Sequence, residues 1–419
     1  MSLTARPDRR HIRTLTNSER FVLVELAAPA APKRTGRDRA PVSLAFVLDR
    51  SGSMDGDKLR LARRAVDESI ARLRDADRFG LVVYDDRIDV LSAAEPATAD
   101  ARRRAVTALE TIHARGSTNL AEGWLKGCEL VATERPDGGV RRSLLLTDGL
   151  ANVGITDPDE LVRHATELRA RGVQTSTFGV GDDFDESLLQ AMADAGGGHF
   201  AFIASAAQIA DHVTSEVGEA LDVVATDASV EVTAHDGLRV DNLSPFPSAA
   251  RGTRTTIRLG DLVSGQIVRI VLRFTFPHGQ VGSELGALVG AGDREGVLAL
   301  EPARLAWIYA DDRTNDEQPR DVEVDRAVAE LFAARARQEA VARNRAGDYA
   351  GARELLAGVA TRVRDYAGSD AALNQVLARL GEDEAAFAAP MAERSRKQAF
   401  FAASTALRTR DAEGRSTRG

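Results

Sequence analysis

Residues 44–53 read Leu-Ala-Phe-Val-Leu-Asp-Arg-Ser-Gly-Ser. A short apolar run ends at Asp49, and hydroxyls follow at Ser51 and Ser53. The three side chains alternate along an extended stretch, so their oxygens can face one way. One carboxylate and two hydroxyls are hard oxygen ligands of the kind a small dication such as Mg²⁺ accepts, but they cannot fill six positions alone. Two further segments offer the missing oxygens. Residues 140–149 form another apolar run ending in an acid, Asp148, and the Gly-led stretch 116–120 (Gly-Ser-Thr-Asn-Leu) offers Thr118. In an open parallel sheet, ligands collect beyond the carboxyl ends of the strands, so all three segments would deliver oxygens to one edge.

Asp49-x-Ser51-x-Ser53, Thr118 in its GSTNL loop and Asp148 in a TDG turn together resemble the metal-ion-dependent adhesion site of von Willebrand factor type A domains. The resemblance covers about 42–220 and includes all five side chains in order. It implies that Asp49, Ser51, Ser53, Thr118 and Asp148 hold Mg²⁺ (alternatively Mn²⁺ or Ca²⁺), directly or through water. It also implies that an open position takes a Glu or Asp carboxylate from a partner protein. The family includes proteins that work with AAA+ ATPases or in multi-gene complexes; such an ATPase would be a separate chain.

These residues need a scaffold. Between 42 and 221 the pattern alternates strand and helix. Strands are expected at 44–48, 79–84, 88–91, 143–146, 174–180 and 199–203. Helices are expected at 58–73, 99–113, 120–133, 158–171, 186–195 and 206–221, with Thr98 and Asp157 as N-caps and Pro158 at a first helical position. The short strand 88–91 would form a hairpin with 79–84. This grammar predicts an α/β fold with a doubly wound, mostly parallel six-stranded sheet. From 223 to 315 the pattern changes to period two with Gly, Pro and Asp between runs, which predicts an antiparallel β-sandwich. Residues 21–26 also read as a strand, so 1–40 is expected to pair with 223–315, with the α/β domain inserted into the sandwich. Bacterial proteins resembling this one often have that layout. Residues 321–410 are rich in Ala, Arg and Glu and predict helices at 324–344, 349–366, 371–380 and 391–407, the last docking on its own chain. Residues 411–419 read as a disordered tail.

Composition narrows the function. The chain has 419 residues, enough for two or three domains, and a formal net charge of -8. No basic excess exists to neutralise phosphates, which argues against nucleic acid as the partner. The first twenty residues carry no apolar core, no apolar run reaches the length of a membrane helix, and the one cysteine, Cys128, cannot form an intrachain disulfide. The sequence therefore reads as cytoplasmic, with no membrane partner. P-loop and zinc motifs (GxxxxGK[ST], HExxH, CxxC) are absent.

Three functions remain. A metal-dependent protein-interaction module, not an enzyme, accounts for all five oxygen-bearing residues. A metal-dependent phosphohydrolase is the alternative, because Asp85 and Asp86 follow the second strand and could place a general base near the metal. A scaffold with a vestigial metal site is the third. Asp182, Asp183 and Asp185 read as a capping loop for the helix at 186 rather than as a site.

Overall fold

The computed structural model describes residues 1–15, 18–31, 39–133 and 139–419. Residues 32–38, within the 1–40 segment, lie outside the described ones. The chain forms two compact units, one of 1–30, 224–412 and 416–419, the other of 31–223 with 413–415. Three strands open the chain: β1 (Ser2–Pro7), β2 (His11–Arg13) and β3 (Glu19–Ala27). They belong with strands that come after the α/β unit.

The α/β unit runs β4 (Ser43–Asp49), α1 (Asp57–Ala71), β5 (Arg78–Tyr84), β6 (Ile88–Pro96), α2 (Ala99–Glu110), α3 (Leu120–Ala132), β7 (Arg141–Thr147), α4 (Pro158–Ala170), β8 (Gln174–Val180), α5 (Glu186–Gly196), β9 (Gly197–Ile203) and α6 (Ile209–Leu221). The sheet order is β6-β5-β4-β7-β8-β9. Every neighbouring pair is parallel except the β5–β6 hairpin. The central strand β4 is buried along its whole length, because helices cover both faces. On one face Leu44, Phe46 and Leu48 join Leu59, Ala62, Val66 and Ile70 of α1 and Val213 and Val217 of α6. On the other face α3 comes so close that a β-carbon at Gly127 would lie 2.2 Å from Val47. Side-chain caps start α2, α4 and α5: Thr98 accepts from the Ala101 N–H, Asp157 from Glu160, and Asp185 from Ser187 and Leu188. β6 reaches Pro96, beyond the short strand expected at 88–91.

The other unit adds β10 (Val223–Ala234), β11 (Arg239–Asn242), β12 (Ser248–Arg251), β13 (Arg254–Val263), β14 (Ile267–Thr275), β15 (Glu284–Gly292) and β16 (Ala303–Ala310). Two sheets, β1-β3-β14-β11 and β12-β13-β10-β15-β16-β2, make a sandwich. β3 lies along β14 from Glu19↔Thr275 to Ala27↔Ile267, so the α/β unit is inserted in the chain between paired strands. The core joins Val22, Val24, Leu26, Ile270, Leu272 and Phe274 of one sheet to Val230, Val232, Val289 and Trp307 of the other. Trp307 is held between Phe274 and Phe276, with ring centroids 4.9 and 5.0 Å away. The sandwich is not wholly antiparallel as the sequence suggested. β2 pairs parallel with β16, from His11↔Ile308 to Ala310↔Arg13, a neighbour brought from the far end of the chain.

Helices follow: α7 (Asp312–Glu317), α8 (Val322–Arg345), α9 (Tyr349–Ala367), α10 (Ala371–Phe387) and α11 (Glu393–Leu407). The outward side chains of β3 and β14, Leu23 and Val271, pack with Val324, Val328 and Leu331 of α8 and Leu407 of α11. The helices thus form a third layer on that sheet. The expected disordered tail is corrected in part. Thr417 accepts a hydrogen bond from the Ile267 N–H at 2.9 Å, and Arg418 bridges Gln266, because β11 pairs only with residues 272–275 of β14 and does not cover the start of that strand.

Candidate metal centre

The site forms where β4 and β7 end side by side. Their register carries Leu48 opposite Leu146, so both chains leave the sheet at one level. Thr147, the last residue of β7, donates its hydroxyl to Asp49 Oδ2 at 2.6 Å. The Ser51 N–H donates to Asp49 Oδ1 at 2.7 Å. A short 3-10 turn at Gly52–Met54 then brings Ser53 Oγ to 3.1 Å from Ser51 Oγ. Ser53 Oγ donates to Asp148 Oδ1 at 2.6 Å. Four of the five sequence-derived residues are thus joined in one chain of hydrogen bonds.

Thr118 enters by a second route. Its N–H donates to Asn152 Oδ1 at 2.9 Å, and its carbonyl accepts from the N–H groups of Asn152 and Val153. The loop after Asp148 therefore clasps the loop before α3. A β-carbon on Gly149 would sit 3.4 Å from Thr118 Oγ1 and 3.8 Å from Ser53 Oγ, which puts both hydroxyls around the bare Cα of Gly149. The Gly52 N–H donates to the Gly116 carbonyl and the Arg115 N–H to the Arg50 carbonyl, tying the remaining loops together. Gly116 itself has φ of 69°, and a β-carbon there would lie 2.1 Å from Asp86 Oδ1. Only glycine fits that turn.

Asp49, Ser51, Thr118 and Asp148 are buried, while Ser53 is open to solvent. Burial pushes the Asp49 carboxyl up to about 6; hydrogen bonds from Thr147 and Ser51 oppose this, and the negative charge of Asp148 adds to it. Two carboxylates and three hydroxyls, all hard oxygens, surround a cradle that any side chain at 149 would fill. That donor set fits a hard dication.

Several partners in this rim were not legible from motif spacing. Lys58, the second residue of α1, places Nζ 2.5 Å from Asp148 Oδ2. Its one signal in the sequence is a cation five residues after Ser53. Thr147 and Asn152, which brace Asp49 and Thr118, lie within four residues of Asp148 in sequence but read as ordinary strand and loop residues. Asp85, a candidate general base, is fully buried and ion-paired to Arg50 at 3.0 Å and Arg115 at 2.7 Å. Burial works to raise its carboxyl, but hydrogen bonds from Arg115, the Arg87 N–H and Arg50 outweigh it and hold it below the ordinary range. Asp86 is exposed beside Gly116.

A second group of potential metal ligands, His199, Glu216 and Glu219, is distinct from this rim. It lies toward the amino ends of β7, β8 and β9. Arg142 donates to Glu216 Oε1 at 2.6 Å and Ser176 Oγ to the same oxygen at 2.7 Å, while His199 Nδ1 is 3.0 Å from Oε2. The guanidinium already balances the carboxylate, so this is an ion-pair network that fastens α6 to the sheet. Cys128 is buried in α3, where burial pushes its thiol up to about 12. Among the described residues, no helix is long and apolar enough to cross a membrane.

The chain is 28% identical over 288 residues to YfbK of Escherichia coli, an uncharacterised protein; the match covers 66% of this chain and 49% of YfbK. The chain thus spans about half the length of that relative. A von Willebrand factor type A protein from Catenulispora acidiphila shares the fold over all of this chain and 97% of its own, with a TM-score of 0.72 and 16% identity. The ArnB paralog VWA2 from Sulfolobus acidocaldarius does so over 100% and 99%, with a TM-score of 0.61 and 16% identity. Residues 43–215, which carry β4 to the first half of α6 and the whole oxygen cluster, match the von Willebrand factor type A domain family. The inserted α/β unit of this chain is a von Willebrand factor type A domain.

Proposed function

We propose that the α/β unit is a metal-dependent protein-interaction module. Asp49, Ser51, Ser53, Thr118 and Asp148 hold Mg²⁺ and present it to a Glu or Asp carboxylate of a partner protein. The observation that carries this reading is the chain of contacts Asp49–Ser51–Ser53–Asp148, with Thr118 meeting Ser53 around Gly149. When bound, the dication supplies a fixed positive charge that accepts an anionic ligand. The protein's own part is to hold two carboxylates at fixed separation and keep their backs dry. Thr147 and the Ser51 N–H lock Asp49, and Asn152 locks the Thr118 backbone. Ser53 stays accessible at the mouth.

Binding is favoured over phosphoester hydrolysis by the state of Asp85. Its carboxylate is engaged by two arginines and lies below the ordinary range, so it is a poor proton acceptor. The reading extends to a cytoplasmic protein whose partner, such as an AAA+ ATPase, is a separate chain; the single buried cysteine suits a reducing compartment. The test is an affinity pull-down with the full chain as bait, in Mg²⁺ and in chelator. A partner retained only in Mg²⁺, and lost with Asp148→Ala, is the expected result. Equal retention in chelator overturns it.

A further inference from the structure

We propose that Lys58 sets the charge of the metal centre, lowering its affinity for the dication and raising its affinity for an anionic ligand. This rests on the metal-binding reading above. Lys58 lies in the first turn of α1, so its backbone is fixed by the helix that packs under the sheet. Its ammonium donates to Asp148 Oδ2 at 2.5 Å and to the Ser53 carbonyl at 3.3 Å. A β-carbon on Gly181, just past β8, would lie 3.7 Å from both Cε and Nζ, so the end of the side chain is bracketed by three segments. It is only 29% exposed.

The charge count follows from these contacts. Asp49 and Asp148 carry two negative charges when ionised, and Lys58 returns one positive charge to the same carboxylate that Ser53 engages. A dication entering this set therefore leaves a net positive centre, where two carboxylates alone would leave a neutral one. Repulsion between lysine and metal weakens metal binding. The uncompensated charge then draws a carboxylate more strongly than a neutral centre would. For charges a few Å apart in partly solvated surroundings, this is worth on the order of tenfold in each equilibrium.

The experiment is calorimetric titration of the full chain with Mn²⁺, then of the Mn²⁺-loaded protein with acetate as a stand-in carboxylate. Four proteins are compared: wild type, Lys58→Met, Lys58→Arg and Asp148→Ala, with thermal melts to check folding. Lys58→Met is expected to bind Mn²⁺ about tenfold tighter than wild type and acetate more weakly, and Lys58→Arg, which keeps the charge, to stay near wild type. Equal or weaker Mn²⁺ binding by Lys58→Met, or acetate binding as tight as wild type, overturns the proposal. If Asp148→Ala binds Mn²⁺ like wild type, the metal reading itself fails, which no behaviour of the lysine variants could mimic.

Discussion

Replacing Asp49 by asparagine should stabilise the α/β unit in chelator while destroying its response to metal. Asp49 has no solvent exposure, and burial, reinforced by the charge of Asp148, holds its carboxyl at about 6 against an ordinary 3.8. Because the folded value is the higher one, the folded chain binds the proton more tightly than the unfolded chain. The stability this group contributes is present in full below about pH 4 and is lost as pH rises through about 6. At pH 8 the ionised form costs the fold about 3 kcal/mol relative to the protonated one. Asparagine removes the charge and can still accept the Thr147 hydroxyl. Turned the other way, its oxygen accepts the Ser51 N–H and its amide nitrogen donates to the Thr147 hydroxyl, but two neutral bonds then replace two charge-assisted ones, which costs about 1 kcal/mol. The net expectation in chelator is a gain of about 2 kcal/mol at pH 8 that disappears near pH 4.5. In Mg²⁺ the order reverses, since wild type gains about 2.7 kcal/mol at a hundred times its Kd and the variant gains none. Pulse-labelling hydrogen exchange along a urea gradient, read on peptides from β4 and β7, isolates this unit from the sandwich. A variant no more stable than wild type at pH 8 in chelator, or a difference that does not change with pH, would refute the reasoning.

Two further substitutions probe the supports of the site. Arg142→Met takes the guanidinium from the buried Glu216 carboxylate, leaving it Ser176 and His199 as partners, and should destabilise the α/β unit by about 3 kcal/mol in urea melts, with much of the loss recovered in the double variant with Glu216→Gln. Gly116→Ala forces a β-carbon toward Asp86 Oδ1 at a φ of 69°; it should cost about 1–2 kcal/mol and weaken Mn²⁺ binding severalfold by displacing the Thr118 loop, as titration and thermal melts would report.

The parts of the fold that follow from local pattern were legible in the sequence. The helices of the α/β unit advertise themselves through a 3.6-residue period and through caps at Thr98 and Asp157. Its central strands β4 and β5 are largely apolar runs because helices bury both faces of the sheet there. The sandwich was harder. β15, Glu-Leu-Gly-Ala-Leu-Val-Gly-Ala-Gly, is too rich in Gly and Ala to stand out, and is a strand because β10 and β16 flank it. β12 is an exposed edge strand with no apolar face to betray it. The parallel pairing of β2 with β16 joins residues nearly three hundred positions apart, which no local window can register.

The sequence by itself determined which oxygen-bearing side chains stand at the ends of which strands, because strand periodicity and the turn after each apolar run are local properties. Only the tertiary structure decided what those side chains meet. Lys58 reaches Asp148 across ninety residues, and Arg50 and Arg115 together hold Asp85. Those encounters depend on how helices and loops pack over the sheet, and on the few ångströms over which charges in a partly dry rim still feel one another.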